Sequence, residues 1–120
     1  MEPNETVIRV GDDPVALINV FDVGAANQEA LIDLLTEGAK KVMRHRPGFV
    51  SLSVLASNDG SRVVNLAQWR SYEDVKATLA DAEVQAYSRR AAALAQATPH
   101  VYSVVSVHRA PAGDSSDTPD

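Results

Sequence analysis

The sequence predicts an α+β fold in which one antiparallel sheet carries helices on a single face, with the ferredoxin-like order β-α-β-β-α-β. Three observations predict it. Four segments rich in apolar and β-branched residues, starting at Val15, Phe49, Arg62 and His100, alternate with two stretches of helical spacing. The middle two flank Asn58-Asp59-Gly60, a hairpin signal whose residues tolerate positive φ, so they pair antiparallel. The 120 residues contain no cysteine, so a single hydrophobic core must hold the domain together.

Taken in order, Val15 to Val23 reads as the first strand, broken by Gly24-Ala25-Ala26-Asn27. Asn27 is placed to cap a helix, with Glu29 in the first turn where the helix dipole favours an acid. Leu31, Leu34, Leu35, Ala39 and Val42 then recur at helical spacing; Lys40, Lys41, Arg44 and Arg46 gather at the basic end, and Pro47-Gly48 stops the helix. Phe49 to Ser57 and Arg62 to Trp69 form the hairpin strands. Ser71 with Asp74 three residues on resembles a capping box and opens a helix to about Ala80; a second helical stretch follows from Ala82 to about Gln96, with Val84, Tyr87, Ala91 and Leu94 on its apolar stripe. The second helix is therefore split in two. Pro99 is expected to end it, leaving His100 to Arg109 as the last strand. Residues 14–110 form the folded domain, between a flexible extension at 1–13 and an acidic, disordered tail at 111–120.

In the first, second and last strands both alternating sets of side chains are apolar. Two helices cover only one face, so the other is expected to pack on the sheet of an identical subunit, giving a homodimer.

Composition excludes several classes of function. The formal charge is −5 and its acids cluster at the two ends, leaving residues 14–110 near neutral, so neither nucleic acid nor an anionic membrane is an expected partner. Without cysteine there is no thiolate nucleophile and no zinc–thiolate or iron–sulfur site. No histidine stands within helical reach of an acidic ligand, so no metal is expected, and no Gly-rich phosphate loop or nucleophile elbow occurs. The N-terminus has neither a basic start nor an apolar core, and the chain reads as cytoplasmic.

One motif points to chemistry. In the strand ending at Trp69, side chains alternate, so Asn65, Ala67 and Trp69 share a face. Strands disfavour Asn, and a buried amide without partners costs about 1–3 kcal/mol. Amide and indole N–H could both donate to a ligand oxygen; the indole could stack on a flat ring, and Ala67 leaves room for it.

Val63 to Trp69, the preceding Arg46 to Ser57 segment, the Asn58 to Gly60 hairpin and the helix start at Ser71 together resemble the antibiotic biosynthesis monooxygenase family of dimeric α+β barrels. The resemblance spans about Val15 to Ala110 and lies closest to small bacterial enzymes that oxidise aromatic polyketides. It implies an oxygenase without metal or organic cofactor that inserts one atom of O₂ into a phenolic, anthrone-like substrate to give a quinone. Asn65 would then bond the developing oxyanion, and Trp69 would donate from its indole and stack on the substrate. The family's arginine on the late helix falls on Arg89 by ungapped counting, with Arg90 as its rival; Tyr72 and Tyr87 complete the substrate-binding candidates. Some members place a tyrosine six residues past the tryptophan, where this chain has Val75, which leaves the proton route open. Non-oxidative cyclisation or isomerisation of a polyketide, or ligand binding without turnover, are the alternatives on the same scaffold.

Overall fold

The computed structural model of the chain describes residues 5–10 and 14–111. Expectations for residues 1–4, 11–13 and 112–120 lie outside the described residues. The elements are β1 (Val15–Asp22), α1 (Gln28–Lys41), a 3₁₀ turn (Met43–His45), β2 (Phe49–Ala56), β3 (Arg62–Trp69), α2 (Tyr72–Leu79), α3 (Ala82–Ala92) and β4 (Gln96–Tyr102). All pairings are antiparallel and the spatial order is β2-β3-β1-β4, the ferredoxin-like arrangement.

Local chemistry sets the boundaries. Asn27 precedes α1, but its side chain caps nothing. The Ser71 hydroxyl accepts from the Asp74 N–H, capping α2 as expected, and donates to the Asp74 carboxylate in place of the backbone bond of a full capping box. Asp81, at the junction, accepts from the N–H groups of Glu83 and Val84 and starts α3 as a separate helix. In the hairpin Gly60 adopts positive φ, +82°, while Asp59 accepts from Ser57 and Ser61.

The last strand corrects the expectation. It runs from Gln96 to Tyr102 rather than from His100 to Arg109, and α3 stops at Ala92. Pro99 lies inside β4, opposite Asn19, instead of ending a helix. The physical reason is position: β4 pairs only with β1 and is an edge strand, where a residue without an N–H leaves no ladder bond broken.

Register assigns the faces. Val15↔Trp69, Leu17↔Ala67, Asn19↔Asn65 and Phe21↔Val63 sit opposite one another and point towards the helices. The core forms there in two clusters. Phe21, Leu31, Leu34, Val63 and Ala91 join α1 and α3 to one end of the sheet; Val15, Ala67, Trp69 and Val75 join α2 to the other. On the opposite face Gln68 is buried and donates to Thr6 Oγ1 and Ser51 Oγ, tying residues 5–10 across the sheet. Val50, Leu55 and Tyr102 stay about half exposed.

Candidate active site

Between the two core clusters the sheet and helices do not meet, and a cavity of about 280 Å³ remains. Its floor is Leu17, Asn19, Phe21, Leu52, Asn65 and Ala67 of the sheet; α1 contributes Leu34, Leu35, Gly38 and Ala39, and α3 contributes Val84, Tyr87, Ser88 and Ala91. Ala97 and Pro99 of β4 form the side on which no helix lies. The lining is apolar except for Asn19, Asn65, Tyr87 and Ser88.

The two asparagines are direct cross-strand partners. Each Oδ1 is buried and without a hydrogen-bond partner. Two such oxygens on neighbouring strands are expensive to leave unpaired, about 1–3 kcal/mol each. A primary amide also carries donors, so the pair can accept from a hydroxyl and donate to an ionised oxygen.

Trp69 shares the face of Asn65, as expected, but stands one step behind the cavity wall. It is fully buried against Val15, Ala67 and Val75, with Phe49 edge-on at 5.4 Å, and does not contribute to the lining. Its Nε1 donor is buried and unpaired.

Tyr87 lines the cavity and donates from its hydroxyl to Glu37 Oε2 at 2.8 Å. Its ring rests against α1 at Gly38, where an added methyl would come within 3.2 Å of Cδ1. The bond to Glu37, with burial and the carboxylate's charge, raises the Tyr87 phenol above its ordinary value. That same bond, reinforced by Lys41 and Arg90, lowers the Glu37 carboxyl.

Arg89, Arg90 and Tyr72 lie outside the cavity lining and are exposed. The inward stripe of α3 is Val84, Tyr87, Ser88 and Ala91, and helical geometry turns the two arginines away from it. Arg90 folds back over the Tyr87 ring at 5.1 Å and reaches Glu37 at 3.7 Å. Tyr72, at the start of α2, lies under the Lys76 ammonium. Among the described residues no group of three or more potential metal-ligating side chains occurs.

Sequence reasoning missed Asn19, Glu37 and Gly38. Asn19 was legible: it is a lone amide in the same alternating phase as Leu17 and Phe21, the signal that singled out Asn65. Glu37 and Gly38 looked like an ordinary polar position and a weak spot within a helix, and nothing local tied them to Tyr87 fifty residues on.

The comparisons with known proteins agree with this architecture. The model of the antibiotic biosynthesis monooxygenase family matches residues 14–90. Tetracenomycin-F1 monooxygenase of Streptomyces glaucescens is 45% identical over 73 residues, which is 61% of this chain and 65% of that protein, just under two thirds of its length. Among solved structures, the ActVA-Orf6 monooxygenase of Streptomyces coelicolor, in complex with nanaomycin D, is 27% identical with a TM-score of 0.74, over 82% of this chain and 93% of that one. SnoaB of Streptomyces nogalater, a cofactor-independent oxygenase, superposes with a TM-score of 0.73 over 80% of this chain and 97% of its own, at 22% identity, and so speaks for the fold. With its strand order, its helix-covered cavity and a family match across most of the folded part, this chain belongs to the antibiotic biosynthesis monooxygenase family.

Proposed function

We propose that the chain is a cofactor-independent monooxygenase that oxidises a phenolic, anthrone-like polyketide to a quinone with O₂. The observation that carries this reading is the Asn19–Asn65 pair, two buried amide oxygens without partners in an otherwise apolar cavity. Support also comes from the likeness to tetracenomycin-F1 monooxygenase and to ActVA-Orf6 with its bound nanaomycin D.

Dioxygen is a triplet and reacts slowly with closed-shell molecules, so without a cofactor the substrate itself must become the electron donor. Loss of one proton turns an anthrone into an electron-rich enolate. Asn65 and Asn19 hold its oxygen by donating from Nδ2 while their Oδ1 atoms accept from neighbouring phenol groups. The enolate passes one electron to O₂, the two radicals join as a peroxide at carbon, and that carbon loses a proton as the O–O bond breaks. The carbonyl of the quinone and one water result. The apolar walls of α1 and α3 keep bulk water from the enolate. Trp69, packed behind the wall, supports the floor that carries Asn65 and does not touch the substrate, and Arg90 acts on the site through Tyr87. Arg89 and Tyr72 take part only where the substrate extends beyond the cavity. The working unit in this proposal is a homodimer joined through the helix-free sheet face.

The test is oxygen uptake by metal-stripped protein supplied with 1,8-dihydroxyanthrone in air. Quinone formation above the spontaneous rate, lowered about a hundredfold in Asn65→Ala, is expected, the loss typical for one oxyanion donor. Absence of any acceleration would reject the oxygenase and leave cyclisation or binding.

A further inference from the structure

The reaction proposed above begins with loss of a proton, yet the cavity contains almost nothing able to take one. Among its lining residues Tyr87 is the sole ionisable side chain; the other polar members, Asn19, Asn65 and Ser88, do not titrate in the working range. Tyr87 does not stand alone. Its hydroxyl is 2.8 Å from Glu37 Oε2, and the Glu37 side chain is 37% exposed, so a wall of the cavity is connected to water through two groups that carry and pass protons.

We propose that Tyr87 and Glu37 form the proton outlet of the cavity. This inference rests on the oxygenase reading for its substrate but on geometry for its route. As the ligand's acidic hydrogen leaves, its proton forms a bond to Tyr87 Oη, and the proton already on Tyr87 moves to Glu37 Oε2. Water then takes that proton from Glu37. The ligand keeps the electron pair as its enolate, Tyr87 and Glu37 return to their starting states, and nothing is oxidised or reduced in this step. The same chain run backwards delivers a proton to the oxygen that departs as water.

The surroundings favour this use. Lys41 at 3.6 Å and Arg90 at 3.7 Å face Glu37 from α1 and α3, and Arg90 also covers the Tyr87 ring. The Tyr87 bond first, and then these cations, lower the Glu37 carboxyl, so its oxygen accepts and the resting Tyr87 proton points towards Glu37. The phenol oxygen then has only lone pairs left to offer a ligand. The raised Tyr87 and lowered Glu37 agree with that polarity, because both shifts arise first from the bond between them. Gly38 lets the ring lie against α1 close enough for the bond to form.

The decisive experiment separates proton removal from oxygenation. Under anaerobic conditions 1,8-dihydroxyanthrone is mixed with the protein and the rate of anthrone-enolate formation is followed by its visible absorbance. Tyr87→Phe, which keeps the ring as wall, and Glu37→Gln, which keeps an acceptor but not the charge, are each expected to slow this step at least tenfold, within the range of general acid–base catalysis, with ligand affinity nearly unchanged. Glu37→Asp restores part of the rate. With tyrosine labelled at Cζ, the Tyr87 resonance titrates above the ordinary phenol range in the wild type and returns towards it in Glu37→Gln. Enolate formation as fast in both variants as in the wild type would overturn the outlet even if the protein consumes oxygen. Accelerated enolate formation without oxygen uptake would reject the oxygenase and keep the outlet.

Discussion

At the residue scale, the site is built from polar atoms that the fold leaves without partners. Asn19 and Asn65 would be poor choices for stability alone: each places a hydrogen-bonding group where an aliphatic side chain would pack without loss. Replacing them should therefore separate stability from activity. Asn19→Leu and Asn65→Leu are each expected to raise the urea midpoint, corresponding to about 1 kcal/mol, while removing turnover of an anthrone. A fall in both quantities would mean that the amides are structural. The pair also shows how far the sequence was readable at this scale. Asn65 announced itself through the tryptophan four residues later, whereas Asn19 had the same phase relation to its apolar neighbours and no such companion. The depth of Trp69 could not be read at all. Alternation places it on the cavity's face, but only the packing of Phe49 and Val75 around it sets it behind the wall.

Elements whose ends are written in local chemistry were legible, and the one whose end depends on a distant partner was not. The start of α2 followed from Ser71 with Asp74, and the β2–β3 hairpin from its turn; the capping role of Asp81 at α3 was not read. β4 was misplaced because Pro99 carries two opposite meanings, a helix stop or an edge-strand residue, and only the pairing with β1 decides between them. Two predictions belong here. Gly48 has φ +82° and a methyl on it would run into the Asp74 carboxylate at the start of α2. Gly48→Ala is thus expected to destabilise the chain by about 1–3 kcal/mol in urea unfolding, the usual range for a strained backbone, whereas Gly24→Ala, with open space around it, should cost less. In the hairpin turn, bonds from the Ser61 N–H, the Ser61 hydroxyl and the Ser57 hydroxyl hold Asp59 down to about 2 from 3.8. A lowered folded value means that its stabilising effect is present above pH 3.8 and is lost as pH falls towards 2. Asp59→Asn should flatten the stability profile between those limits and lower stability near neutrality, where the ionised carboxylate acts.

For the molecule as a whole, the sheet is apolar on both faces but the helices cover only one. On the free face residues 5–10 form a partial strap: Ile8 borders a hollow with Ala16, Ile18 and Leu66, and Thr6 meets Gln68. Beyond the strap, Val50 (51%), Leu55 (48%) and Tyr102 (46%) remain open to water, large side chains grouped on one surface rather than scattered. Such a surface gains roughly 25 cal/mol for each Å² of apolar area removed from water, and a second copy meeting it face to face could reach the 1,200–2,000 Å² or so of a standard stable interface. The wild type is therefore expected to sediment as a dimer at micromolar concentration. Because apolar contact carries the association, added salt should not dissolve it. Leu55→Asp combined with Tyr102→Asp sets two like charges on the contact surface, on the side of the sheet away from Asn19 and Asn65, and should yield monomers whose circular dichroism matches the wild type. A wild-type protein that sediments as a monomer would refute the pairing.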